Sequence, residues 1–215
     1  MSGLKNTRKD KIYASVLADG LIHVEVPEET EGAKKRDYET SDGKTGTKFE
    51  HVYNELSGKI SSIAFFDGDF GKSLQITVED ADGGKPIMLS LGTASGYGED
   101  VMKKLPSVDI AKEVTFAPYS FKDDNGKSKK GITVLQDGVK VKNFYYDDVE
   151  KVNINGYPVP PTPKKGKALT KEDWIMYFMQ ARIFLVGETE KIFANIVTET
   201  NVEKTDDPDL EFEQF

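Results

Sequence analysis

The sequence predicts a mainly β fold organised as a small antiparallel barrel, and three observations carry that prediction. Residues 54–93 read as three consecutive strands with their turns supplied. Leu74, Ile76 and Val78 alternate with Ser73, Gln75 and Thr77, and Ile87, Leu89 and Leu91 alternate with Met88 and Ser90, so each strand has one dry and one wet face. Seven Asp-Gly or Asn-Gly pairs, beginning at Asp19, Asp42, Asp67, Asp82, Asn125, Asp137 and Asn155, supply the positive-φ positions that tight hairpins require. After the third strand the order continues as a short helix and two more strands, which closes the set expected of a five-stranded Greek-key barrel.

Taken in order, Lys11–Leu17 and Leu21–Val26 flank Ala18-Asp19-Gly20 and predict an added N-terminal hairpin. Apolar residues nearly vanish over 27–47, where Lys34, Lys35, Arg36 and Tyr38 read either as an arm that closes over a nucleic-acid backbone or as a solvated loop. Gly58 lies inside the first barrel strand, where it marks a bulge that lets one strand serve two sides of a barrel, or simply a strand end. Glu99–Leu105 predicts two helical turns, acidic at the start, basic near the end and stopped by Pro106. Strand runs resume at Glu113–Phe121 and Gly131–Gln136, giving the element order of an OB-fold, whose loops and central strands bind oligonucleotides or oligosaccharides. Val139–Tyr146 reads as a sixth strand.

Tyr157–Lys167 is a proline-rich, basic connector that suits a semi-rigid linker, with a ligand for a proline-binding domain as the lesser reading. Thr170 and Asp173 form a capping-box pattern that opens a helix. Trp174, Phe178, Ala181 and Leu185 share one face of it for packing against the barrel, and Gly187 stops it. The expected organisation is one domain over residues 1–198 and a flexible, disordered acidic tail over 199–215.

The chain has no cysteine, which removes disulfides and thiolate chemistry and fits a reducing cytoplasm. No apolar run approaches the roughly 20 residues of a membrane span, so no membrane association is expected. The net charge of -8 sits mostly in residues 199–215, which hold seven acids and one base; the remaining 30 acids and 28 bases give only -2.

No enzymatic site, metal site or cofactor is expected. The triplets at Gly43, Gly71 and Gly126 end like a phosphate-binding loop but have Tyr38, Phe66 and Phe121 where its other glycine belongs. His23 and His51 have no partner at ligand spacing, and the acid pairs Asp67/Asp69, Asp123/Asp124 and Asp147/Asp148 sit in turns that favour aspartate for backbone reasons. A metal-dependent nuclease is the third-ranked reading.

Binding is better supported, because single strands are held by cations that follow phosphates and by rings on which bases stack. The first barrel loop offers Phe66, Phe70 and Lys72; the loop between the fourth and fifth strands offers Tyr119, Phe121, Lys122, Lys127, Lys129 and Lys130. Alternation puts Tyr119 and Phe121 on one face, either as stacking platforms or as core. The tail supplies a second signal: Asp206, Asp207, Asp209, Leu210, Glu211, Phe212, Glu213 and the final Phe215 combine charge with evenly placed apolar residues, a pattern suited to partner capture.

An OB-like barrel over about 50–146 followed by an acidic tail ending in phenylalanine resembles the single-stranded DNA-binding proteins of bacteria and their tailed phages. The whole chain is similar to the type encoded by phages of enterobacteria, although Leu210 and Phe212 interrupt the tail and it ends in Gln-Phe. The resemblance implies sequence-independent coating of single-stranded DNA during phage replication, recombination or repair in the bacterial host cytoplasm. It implies recruitment of replication and recombination proteins through the tail, competition between tail and DNA for the basic groove, and leaves room for self-association along DNA. The rival expectation is a structural or protein-interaction β-domain that never meets nucleic acid.

Overall fold

The computed structural model describes residues 11–39, 43–68, 71–79, 83–163 and 168–202, with side chains to 194. The chain divides into two compact units, Met1–Val159 and Pro160–Phe215.

The first unit is built on a mixed ten-stranded sheet. Its centre is the meander that alternation predicts: β5 (Leu56–Gly68), β6 (Gly71–Glu79) and β7 (Ile87–Gly92). Leu74, Ile76 and Leu89 are wholly buried on the inner face, joined by Leu91, Phe116, Ile132 and Val134. Each such side chain contributes roughly 1.5–3 kcal/mol on leaving water.

Gly58 is the bend in β5. Its φ of +149° and a Cβ position only 2.2 Å from the Glu79 carbonyl oxygen leave no room for another residue. One strand therefore serves two neighbours: Leu56–Lys59 pair with β8 (Glu113–Lys122), and Lys59–Gly68 pair with β6 through a bulge between Ile60 and Ser62. β8 in turn forms a hairpin with β9 (Ser128–Gln136).

The N-terminal hairpin forms as predicted from β1 (Ile12–Val16) and β2 (Ile22–Glu25). β1 then lies parallel to β7, and β2 continues through β4 (Thr45–Tyr53) to the edge strand β3 (Lys34–Glu39). The Lys34–Tyr38 stretch is thus a strand, neither arm nor loop, because Thr45–Tyr53 offers it a complete antiparallel ladder.

The sheet is not closed among the described residues, so the five-stranded Greek-key barrel is not the observed strand order. Two features replace closure. β1 occupies the edge of β7 that a fifth barrel strand would take. The short helix α1 (Gly96–Lys104) covers β9: Asp100 Oδ2 accepts from the Ile132 amide at 2.8 Å, and Lys104 Nζ donates to the Ile132 carbonyl at 2.6 Å. Both groups lie on the edge of β9 away from β8, where further along the strand the Val141 amide donates to the Val134 carbonyl.

α1 begins at Gly96, earlier than Glu99, because the Ser95 hydroxyl caps the Gly98 amide. The sixth strand is reduced to β10 (Val139–Lys140), and a two-stranded ribbon follows as β11 (Tyr146–Asp147) and β12 (Val152–Asn153). The proline segment forms no regular element over its described part.

In the second unit, α2 (Lys171–Val202) starts with the predicted capping box: Asp173 Oδ2 accepts from the Thr170 amide, and Thr170 Oγ1 accepts from the Asp173 amide. Gly187 does not stop it. One helical glycine costs about 1 kcal/mol, and the glutamates, lysine and alanine that follow continue the helix. Ala181 and Leu185 of the expected stripe are buried, whereas Trp174 and Phe178 are exposed.

Candidate nucleic-acid interface

Six of the predicted site residues lie together on the β8–β9 hairpin. Tyr119 and Phe121 share a face as alternation requires, with ring centroids 5.8 Å apart and planes tilted by 36°. The opposing strand sets Gly131 across from Tyr119 and Lys129 across from Phe121. Gly131 is a ring-shaped gap: a Cβ there would stand 2.4 Å from the Tyr119 hydroxyl oxygen. Burial, and then the nearby Asp100 charge, raise the Tyr119 hydroxyl pKa. Tyr119 is therefore half-buried ballast beneath Phe121, which is 55% exposed.

The turn is stiff. Asp123 Oδ1 accepts from the amides of Asn125 and Lys127, the Asp123 amide donates to the Lys127 carbonyl, and Gly126 takes φ +75°. The Asp123 carboxylate is thus a turn group. Lys122, Lys127, Lys129 and Lys130 are all exposed, with Lys129 Nζ 3.8 Å from Asp123. Register separates them: Lys129 shares the ring face, while Lys122 and Lys130 point to the other side with Ser120.

The β5–β6 hairpin splits its predicted group in the same way. Phe66, 56% exposed, faces outward with Ser73, but Lys72 lies on the inner side with Leu74, over the Phe65 ring at 5.6 Å and 3.3 Å from Asp67. Phe70 lies outside the described residues, as do Asp206, Asp207, Asp209, Leu210, Glu211, Phe212, Glu213 and Phe215 of the tail.

On β3 the outer face holds Lys34, Arg36 and Tyr38, while the exposed Lys35 turns inward and pairs with Asp37 at 3.5 Å. Tyr38 lies over Gly46, whose Cβ position is 2.5 Å from the hydroxyl oxygen, and it is flanked by Arg36 and Lys48 at 6.0 and 5.9 Å. Arg36 is engaged within the sheet. Its Nε and Nη2 donate to Glu50 at 2.8 and 2.6 Å, a bidentate pair.

Glu50 was not legible as a partner. It is 4% exposed and also 2.9 Å from His23 Nδ1, whose Nε2 lies 3.0 Å from Asp19. The Arg36 guanidinium foremost, and His23, outweigh burial and hold the Glu50 carboxyl at about 2. Asp19 belongs to the β1–β2 turn, which rests on β8: a Cβ at Gly20 would meet the Ser120 amide nitrogen at 2.4 Å. The cluster Asp19, His23, Glu50 and Arg36 therefore ties β3 to the turn beneath the aromatic hairpin. The bonded pairs are 4, 14 and 27 positions apart, with no periodicity to reveal them.

Counting partners across the ladders places Tyr119, Phe121, Lys129, Phe66, Lys34, Arg36 and Tyr38 on the outer face. Tyr13, 68% exposed, joins them; the alternation Ile12-Tyr13-Ala14 carried the signal for it. The arrangement offers exposed rings beside cations on one sheet surface, which suits a flexible polyanion with stackable bases. No protein-family model, no curated protein and no solved structure matches the chain.

Proposed function

We propose that the chain binds single-stranded DNA without sequence preference, as an accessory to phage replication, recombination or repair in the host cytoplasm. We take β5 to β9 with α1 as an OB-like unit opened by the insertion of β1 beside β7. The observation that carries the reading is the exposed Phe121 ring, braced by Tyr119 and set opposite Lys129 on a rigid hairpin. A ring face accepts any base, and a lysine accepts any phosphate, so this pairing predicts affinity without readout.

The segment Asp206–Phe215, with five acids and no base, competes with DNA for the lysines and docks replication or recombination proteins when released. A tethered competitor of this kind acts at millimolar effective concentration. The test is a salt titration of oligonucleotide binding by the full chain and by a chain lacking 206–215. Binding that ignores salt, or that depends on base sequence in both proteins, would remove the proposal.

A further inference from the structure

His23 occupies a position that stacking and phosphate contact leave unused. It is 7% exposed, and both ring nitrogens face carboxylate oxygens: Nδ1 lies 2.9 Å from Glu50 Oε2, and Nε2 lies 3.0 Å from Asp19 Oδ2. A neutral imidazole has one N–H and one lone pair, so it donates to only one of these acceptors. The imidazolium donates to both. Across the ladders His23 meets Ser15 of β1 and Val52 of β4, which carry no charge. Beyond its two carboxylates, the nearby charges are Arg36 of β3, held on Glu50, and Glu25 of its own strand, held by Lys48. Burial, and then the Asp19 charge, raise the pKa of the Tyr97 hydroxyl on α1, so that group stays neutral.

We propose that His23 is a positioning residue for the aromatic β8–β9 hairpin: doubly protonated, it clasps the β1–β2 turn beneath that hairpin, and losing a proton releases the turn. The bond that yields is the one to Asp19. Glu50 is 4% exposed and keeps the remaining N–H, because a buried carboxylate that loses a donor finds no water to replace it. The Asp19 side chain is 47% exposed and does find water. Once Nε2 has lost its proton, its lone pair faces that carboxylate, and the two repel. Gly20 passes the motion on. Its φ is +81°, and its Cβ position is 2.4 Å from the Ser120 nitrogen and 2.7 Å from the Tyr119 carbonyl carbon, so the turn sits directly on the Tyr119–Ser120 peptide. Tyr119 in turn braces the Phe121 ring.

The clasp stands on geometry alone, while its effect on affinity rests on the DNA-binding reading, so the experiment has two arms. The first is nitrogen NMR of the labelled full chain without DNA, from about pH 5.5 to pH 9. Both His23 ring nitrogens are expected to read as protonated at the acid end, and the Gly20 and Ser120 amides to shift with the same midpoint as the ring. The second is fluorescence anisotropy of oligo-dT over the same range at moderate salt, where Kd is expected to rise about fivefold towards the alkaline end. Asp19→Asn is expected to abolish both responses, because an amide can donate to the lone pair of a neutral ring and Asn-Gly suits the same turn. His51→Gln, which alters the other histidine, is expected to leave both in place. Gly20 and Ser120 amides that ignore the His23 titration overturn the proposal, as does a pH response that survives Asp19→Asn. Amides that follow His23 in a chain that binds no oligonucleotide would support the clasp and overturn the DNA-binding reading instead.

Discussion

Phe121→Ala is the sharpest probe of the proposed interface. The ring is 55% exposed, so truncation forfeits less than half of the roughly 3 kcal/mol that full burial of a phenylalanine contributes, and the fold should survive. If one base stacks on it, the loss is about 1–3 kcal/mol, or roughly 5- to 150-fold in Kd. Tyr119→Ala is a poorer choice, because it also uncovers the Gly131 backbone beneath the ring. The assay is fluorescence anisotropy of oligo-dT and a mixed-sequence oligonucleotide across a salt series. A lost stack shifts the affinity at every salt and leaves the slope of log K against log salt unchanged, since no counterion is involved. Substitution by tryptophan should retain affinity. Unchanged Kd for Phe121→Ala, or a loss seen with one sequence alone, would refute the assignment.

The lysines of the hairpin separate by face. Lys129→Ala should lower the salt slope by about 0.7, and Lys130→Ala, pointing away from the rings, should change it far less; equal effects would show that the strand does not follow the ring face. Removing 206–215 should raise affinity most at low salt and little near 200 mM, where screening weakens an acidic competitor (about 8 Å Debye length at 0.15 M). Calorimetry against pH tests Glu50. Its carboxyl pKa is depressed from 4.5 to about 2, so the stability it adds is complete above pH 4.5 and disappears as pH falls towards 2. The amount is on the order of 3 kcal/mol. Glu50→Gln should cost on the order of 2 kcal/mol near neutral pH and flatten that acid limb.

What the sequence revealed follows from where the physics is local. Hairpins announced by Asp19-Gly20 and Asn125-Gly126, the alternating strands of 54–93, the bend at Gly58 and the Thr170 cap all depend on a few neighbouring residues, and all are present. Sheet closure depends on which edges find partners, and that was settled by residues far apart: Ile12–Ser15 beside β7, and Asp100 and Lys104 on Ile132. The extent of α2 was underread because glycine stops a helix only where a left-handed residue or a cap is needed next. In the site, alternation correctly joined Tyr119 to Phe121 but could not show that Lys72 and Lys130 sit across the sheet from the rings. Composition counted Arg36 as a cation for DNA and had no means of finding Glu50.

The fate of Arg36 bears on how an acidic protein could attract a polyanion at all. Cations that look equivalent in composition divide into those neutralised at home and those left to act outward. Arg36 is held by Glu50, Lys48 by Glu25, Lys103 by Glu99, Lys104 by Asp100 and Lys112 by Asp137. These pairs build the sheet edge, the helix and its seat on β9, and each subtracts a charge from any long-range field. The β8–β9 turn differs: four exposed lysines stand within nine residues, against two aspartates, one of them occupied with turn amides. Attraction must then be short-ranged and local, and with Lys122 and Lys130 turned away from the rings, one or two phosphate contacts give a salt slope of only about -0.7 to -1.4. Such a modest electrostatic share leaves the aromatic contacts to supply much of the affinity. It also explains why a ten-residue segment with five acids would suffice as competitor, since it outnumbers the lysines it has to occupy.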